Sequence, residues 1–145
     1  MSVVFKSRND VLVRSRDGRN FVVQEDIDLV TDTGTHYRVP IGAESDGAST
    51  PPELWAEIPP FGAYWLAALV HDSAYRNTLL RQMENGFWVP AMLNKDDSDT
   101  LLLDCMAALG VEQVRKEAIY EGVHFFGWKA FRDDRALSTG GSPGG

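Results

Sequence analysis

Residues 62–77 are apolar on nearly every side of a helix, with Trp65, Leu66, Leu69 and Val70 spread around its turns. A helix of that kind cannot lie on a surface, so the rest of the chain must supply the elements that enclose it. The longest apolar run, residues 61–70, is too short to span a bilayer. The segment is therefore read as the central helix of a globular core. A chain of 145 residues, 43% hydrophobic and 24% charged, has material for one such core. Residues 1–137 are read as a single domain and residues 138–145, all Ser, Thr, Gly and Pro, as a flexible tail.

The part before this helix has the pattern of strands. Residues 11–14 and 21–24 are β-prone, and Asp17-Gly18 between them supplies the positive φ of a hairpin turn. Residues 27–30 lead into the turn cluster Thr31-Asp32-Thr33-Gly34-Thr35, and residues 36–41 alternate like a strand with one buried face. A small antiparallel sheet is expected. Residues 42–62 then carry four of the seven prolines, Pro51, Pro52, Pro59 and Pro60, which makes them a shaped loop with one helical turn near residues 53–57. Leu54, Trp55, Ile58 and Phe61 suit a packed, functional loop.

After the central helix, residues 81–95 read as a connector. A second helix is expected over 97–109, ended by Gly110, and a third over 111–131 with Val114, Ala118, Val123, Phe126 and Ala130 on one face. The fold class is α+β: a small N-terminal antiparallel sheet, a Pro-rich loop and a three-helix C-terminal half.

Charge and cysteine content narrow the partners. Twenty-one acids against fourteen bases give a net charge of −7, the wrong sign for a nucleic-acid backbone or an anionic membrane. A single cysteine, Cys105, forms no intrachain disulfide and suits a reducing compartment, where it is read as a small buried apolar residue. The opening MSVVFKSRND has no apolar signal core, so no signal peptide is expected. No phosphate loop, dinucleotide fingerprint or nucleophile elbow is present, and no cofactor-binding residues are assigned.

The central helix nevertheless carries His71-Asp72-Ser73-Ala74-Tyr75. His71 and Tyr75, four apart, share a face with Ala68 and Tyr64, while Asp72 is turned by roughly 100° towards Leu69 and Trp65. Polar groups inside an apolar helix must find partners. Two segments could supply them: Asp46-Gly47-Ala48-Ser49 in the loop, and Asp96, Asp97 and Asp99 at the start of the second helix. Asp96 and Asp99 have the spacing of a helix cap with its capping-box partner, but Asp99 also lies on the inward side with Leu102, Leu103 and Met106. A histidine oriented by a carboxylate is a general base near neutral pH, and Asp72 with Asp46 could hold a hard cation such as Ca²⁺ or Mg²⁺. The same residues serve equally as a polar clamp fastening the loop to the helices. His36 and His124 lie on separate elements without zinc-site spacing. Phe125, Phe126, Trp128 and Phe131 are too dense to be all core, and part of the set is expected to form an interface or cover the Pro loop.

Several of these pieces resemble, in order over residues 20–130, a phage and prophage family known as domain-of-unknown-function family 1353. They are Val39-Pro40, Asp46–Ser49 with the prolines and Trp55, residues 67–72 with Tyr75, Asp99 with Met106, and Tyr120 with Gly127-Trp128. The resemblance implies a phage or prophage origin and no particular activity. A second, local likeness is to secreted phospholipases, where His-Asp-x-x-Tyr on one helix works with an Asp on a later one. It implies His71 as base, Asp72 as calcium ligand, Asp99 as the residue orienting His71, and Tyr75 as a supporting hydrogen bond. The disulfide framework and glycine-rich calcium loop of those enzymes are missing. Helical metal-dependent phosphohydrolases need an earlier helical His, whereas His36 is on an expected strand.

Three functions follow as expectations. The first is a virion-associated phage protein of tail, baseplate or neck, mainly structural, partnered by other virion proteins or its own copies. The second is a metal-assisted hydrolase of an envelope or cell-wall ester or amide bond, with His71 as base. The third is a cytoplasmic accessory protein binding a host factor or small molecule. The place of action is accordingly the virion or the host cytoplasm.

Overall fold

In the computed structural model, residues 3–6, 13–15, 21–45 and 63–138 are described. Six strands come first: β1 (Val3–Phe5), β2 (Val13–Ser15), β3 (Phe21–Val23), β4 (Ile27–Thr31), β5 (His36–Val39) and β6 (Glu44–Ser45). The central helix α1 (Ala63–Arg76) follows, then β7 (Leu80–Gln82), β8 (Trp88–Pro90), and helices α2 (Lys95–Ala108), α3 (Gln113–Phe126) and α4 (Trp128–Ser138). The class is α+β, as the sequence pattern implies.

The strands form two antiparallel sheets. β2 and β3 pair with Val13 opposite Val23, and β6 joins the other edge of β3 with Ser45 opposite Phe21. The larger sheet has the order β1-β4-β5-β7-β8. In β4, Ile27, Leu29 and Thr31 are buried and the residues between them less so, which is the period-2 pattern of a half-buried strand. The β4–β5 turn is closed by Thr31, whose Oγ1 accepts from the Thr35 amide at 3.2 Å, with Gly34 at φ +87°. The expected Asp17-Gly18 turn, the Pro-rich loop from residue 46 and its helical turn at 53–57 lie outside the described residues.

The connector expected over 81–95 is instead a hairpin, so the sheet takes its last two strands from beyond the central helix. Asn85-Gly86 is its turn signal: Gly86 has φ +90°, and the Met83 amide donates to the Phe87 carbonyl. Pro90 is tolerated because β8 is the edge strand.

Residues 66–75 of α1 are all buried, as an all-round apolar helix requires. The helix stops at Asn77, whose φ of +57° breaks the repeat. Arg135 of α4 donates to the Ala74 and Tyr75 carbonyls, each at 3.1 Å, and so satisfies the end of α1. α2 ends in a Schellman arrangement at Gly110, φ +77°, with the Val111 amide on the Met106 carbonyl. The expected third helix is two helices broken at Gly127. Among its described side chains, Ile119 and Val123 are buried, whereas Val114, assigned to the inner face, is 79% exposed. Among the described residues no helix is long and apolar enough to cross a membrane.

Candidate active site

Asp99 is the centre of a buried polar cluster that joins α1, α2 and the α3–α4 break. Its Oδ1 lies 2.9 Å from Nε2 of His71 and accepts from the Tyr75 hydroxyl at 2.6 Å. Its Oδ2 accepts from Nζ of Lys95 at 2.6 Å. The Lys95 ammonium donates its other hydrogens to the carbonyls of Val123, at 3.0 Å, and His124, at 2.9 Å. These carbonyls belong to the last turn of α3, the helix end that favours a cation. His71, Tyr75 and Asp99 have no exposed surface and Lys95 has 2%.

Helical spacing builds this cluster. His71 and Tyr75 are four apart on α1, with ring centroids 4.1 Å apart, and Lys95 and Asp99 are four apart on α2. The buried stripe of α2 continues through Leu102 and Met106, so one face is ionic at its start and apolar beyond.

The electrostatics fix the proton positions. Burial by itself would raise the pKa of Asp99, but the hydrogen bonds from His71, Lys95 and Tyr75 outweigh it and hold the carboxyl below its ordinary value. Burial, and then the bond to the Asp99 carboxylate, push the Tyr75 hydroxyl far above its usual range, so it stays a donor. An ionised carboxylate only accepts, which assigns the hydrogen of a neutral His71 ring to Nε2. Nδ1 then carries the lone pair. It is buried and has no hydrogen-bond partner among the described residues.

Of the residues singled out in the sequence, His71, Tyr75 and Asp99 are thus brought together. Asp72 is turned to another side of α1, where Oδ2 accepts from Oγ of Ser45 on β6 at 2.5 Å. Asp46 lies outside the described residues. The cap of α2 is Asn94, whose side chain accepts from the Asp97 amide at 2.7 Å. Asp96 and Asp97 are exposed in the first turn, and Asp99 faces inward instead of completing a capping box. His124 lies beside the cluster, its Nδ1 3.8 Å from Asp99, beyond hydrogen-bond distance. His36 stands on β5 opposite Val30. Cys105 is fully buried, and burial raises its thiol pKa. Phe125 and Trp128 are 67% and 51% exposed, while Phe131 packs edge-on against Tyr75 at 5.2 Å. The side chains of Tyr64, Trp65 and Phe126 lie outside the description.

Among the described residues no group of three or more His, Cys, Asp or Glu could hold a metal ion. Asp99 is surrounded by donors, the wrong polarity for a cation ligand, so a Ca²⁺ or Mg²⁺ site would have to be built around Asp72.

Lys95 and Ser45 contribute to this region without having been singled out from the sequence, and Gly127 was named only as part of the family resemblance. The Lys95–Asp99 spacing of i, i+4 was the available signal for the first. Nothing in the local sequence marks Ser45.

A family model described as "Protein of unknown function (DUF1353)" matches residues 21–123. The chain belongs to this family. The matched region contains β3 to β8, α1, α2 and most of α3, and so all four side chains of the cluster. No curated protein and no solved structure matches the chain.

Proposed function

We propose that this DUF1353 protein is a small hydrolase of an envelope or cell-wall ester or amide bond, with His71 as its general base. One observation carries the reading. Asp99 engages one ring nitrogen of His71, and the other is buried without a hydrogen-bond partner among the described residues. An unpaired buried polar atom costs about 1–3 kcal/mol. A clamp selected for stability alone gains nothing from that cost, whereas a base needs this nitrogen free. In the reaction Nδ1 takes a proton from water, whose oxygen bonds to the acyl carbon. The acyl–oxygen or acyl–nitrogen bond then breaks, and the proton passes to the leaving group. Asp99 keeps the ring oriented and Tyr75 keeps Asp99 oriented. Because His71 is fully buried, turnover requires its surroundings to open.

The test is hydrolysis of p-nitrophenyl butyrate, phospholipid vesicles and purified peptidoglycan by wild type and His71→Ala, each in EDTA and in excess Ca²⁺ or Mg²⁺, alongside thermal unfolding. Loss of a general base lowers the rate roughly 10²- to 10⁴-fold. The expected result is that loss in a variant that still folds. A rise in melting temperature with one cation, abolished by Asp72→Ala, assigns the metal. Absence of hydrolysis on every substrate, with His71→Ala strongly destabilised, makes the cluster a clamp.

A second reading is a virion-associated structural role for a protein of phage origin. The exposed Val114, Phe125 and Trp128 on α3 and α4 favour it, since they offer apolar surface to a partner. Copurification of the protein with phage particles is its expected result, and absence from purified particles rejects it.

A further inference from the structure

We propose that Gly127, at the break between α3 and α4, is a positioning residue for the His71 base, an inference that rests on the hydrolase reading above. A Cβ at this position would collide with the carbonyl oxygen of Val123 and stand 2.9 Å from the hydroxyl of Tyr75. Both atoms belong to the surroundings of Asp99. The Tyr75 hydroxyl donates to Oδ1, the oxygen that also meets His71. The Val123 carbonyl accepts from Lys95, and Lys95 in turn holds Oδ2. A single methyl group at 127 therefore disturbs the support of both carboxylate oxygens.

Neither neighbour has easy room to yield. The Tyr75 ring is held between His71, 4.1 Å away, and the edge of Phe131, 5.2 Å away. The Val123 carbonyl is fixed by the Gly127 amide at 2.8 Å as well as by Lys95. Backbone conformation is not what selects glycine here, because φ −84° and ψ 0° are open to any residue. What selects it is the missing side chain, which lets the helix break close onto the Tyr75 hydroxyl. In this arrangement Asp99 has one orientation, the His71 hydrogen stays on Nε2, and Nδ1 is left as the base.

The experiment reads the ring nitrogens of His71 directly, by ¹⁵N-resolved NMR of wild type, Gly127→Ala, Tyr75→Phe and the double variant, with p-nitrophenyl butyrate hydrolysis measured in parallel. In wild type the neutral ring is expected as the Nε2–H tautomer alone. In Gly127→Ala a mixture of tautomers is expected, with hydrolysis reduced on the order of 10²-fold, the scale of a misplaced reacting group. A folded Gly127→Ala with the wild-type tautomer overturns the proposal. If Gly127→Ala does not fold, the double variant decides. Removing the hydroxyl relieves its contact with the methyl and leaves the one with the Val123 carbonyl, so recovery of wild-type circular dichroism supports the proposal, and failure to recover makes Gly127 a packing residue of the helix break and overturns it. The two readings fail separately: a tautomer change in a protein that hydrolyses nothing keeps the positioning role and rejects the hydrolase. Hydrolysis indifferent to Gly127→Ala does the reverse.

Discussion

Asp99 accepts hydrogen bonds from three different side chains, and its protonation would remove acceptors from a histidine, a tyrosine and a buried ammonium together. The pH dependence of stability follows from that. An unfolded aspartate titrates at about 3.9, and the folded carboxyl is held lower. Between the two values the unfolded chain binds more protons, so stability rises with pH there. The contribution is complete above the unfolded value and is lost as pH falls through the folded one. Urea unfolding from neutral pH down to the acid limit should show this limb in wild type. In Asp99→Asn it should be weaker, and stability near neutrality should be lower by about 3–5 kcal/mol, because Lys95 is left buried without its counter-charge. An unchanged acid limb in Asp99→Asn would assign acid unfolding to other carboxylates.

At the scale of elements, α2 is built from two halves that sequence reading treats differently. Its start carries Lys95, Ser98 and Asp99 on the buried face, and its remainder carries Leu101, Leu102, Cys105 and Met106. Hydropathy recognises the second half and leaves Lys95 in the connector, since Lys ordinarily marks solvent. The helix also begins earlier than the acidic cluster suggests, because Asn94 caps it. Asn94→Ala should cost about 1 kcal/mol in chemical denaturation. It should also loosen amide-exchange protection in the first turn, which bears Lys95. Exchange unchanged there would mean that the buried ion pair alone holds that turn. The break at Gly127 belongs to the same scale. An apolar pattern over residues 111–131 cannot show it, since α3 and α4 each continue a helical period.

For the whole molecule, the central helix packs on both sheets, through β5 and β6, and on helices α2 and α4. The smaller sheet reaches α1 through Ser45 and Asp72. Both residues are 1% exposed, so this bond is shielded from water. Ser45→Ala should cost roughly 1.5–3 kcal/mol, the worth of a hydrogen bond to a charged group. Amide exchange should rise more in β3 and β6 than in β4 and β5. A uniform loss of protection across both sheets would show that they unfold as a single block. Asp72 thus links elements in the fold, and that role is open to test independently of its candidacy as a metal ligand.

The α+β class, the buried central helix, the strand pair β4–β5 and the end of α2 at Gly110 were readable in the sequence. Each rests on a local cause: an all-round apolar helix, a period of two, a turn cluster and a positive-φ glycine. The shared face of His71 and Tyr75 was readable as well from i, i+4 spacing, and the need to satisfy buried polar groups left Asp99 in one of two candidate partner segments, with its pairing to His71 implied by the phospholipase likeness. Tertiary structure alone decided the rest. It put the 80–90 hairpin into the sheet, turned Asp72 onto Ser45, buried Lys95 on the carbonyls of α3, and set Gly127 against the Tyr75 hydroxyl. These are contacts between residues distant in the chain, made by packing that no local propensity specifies.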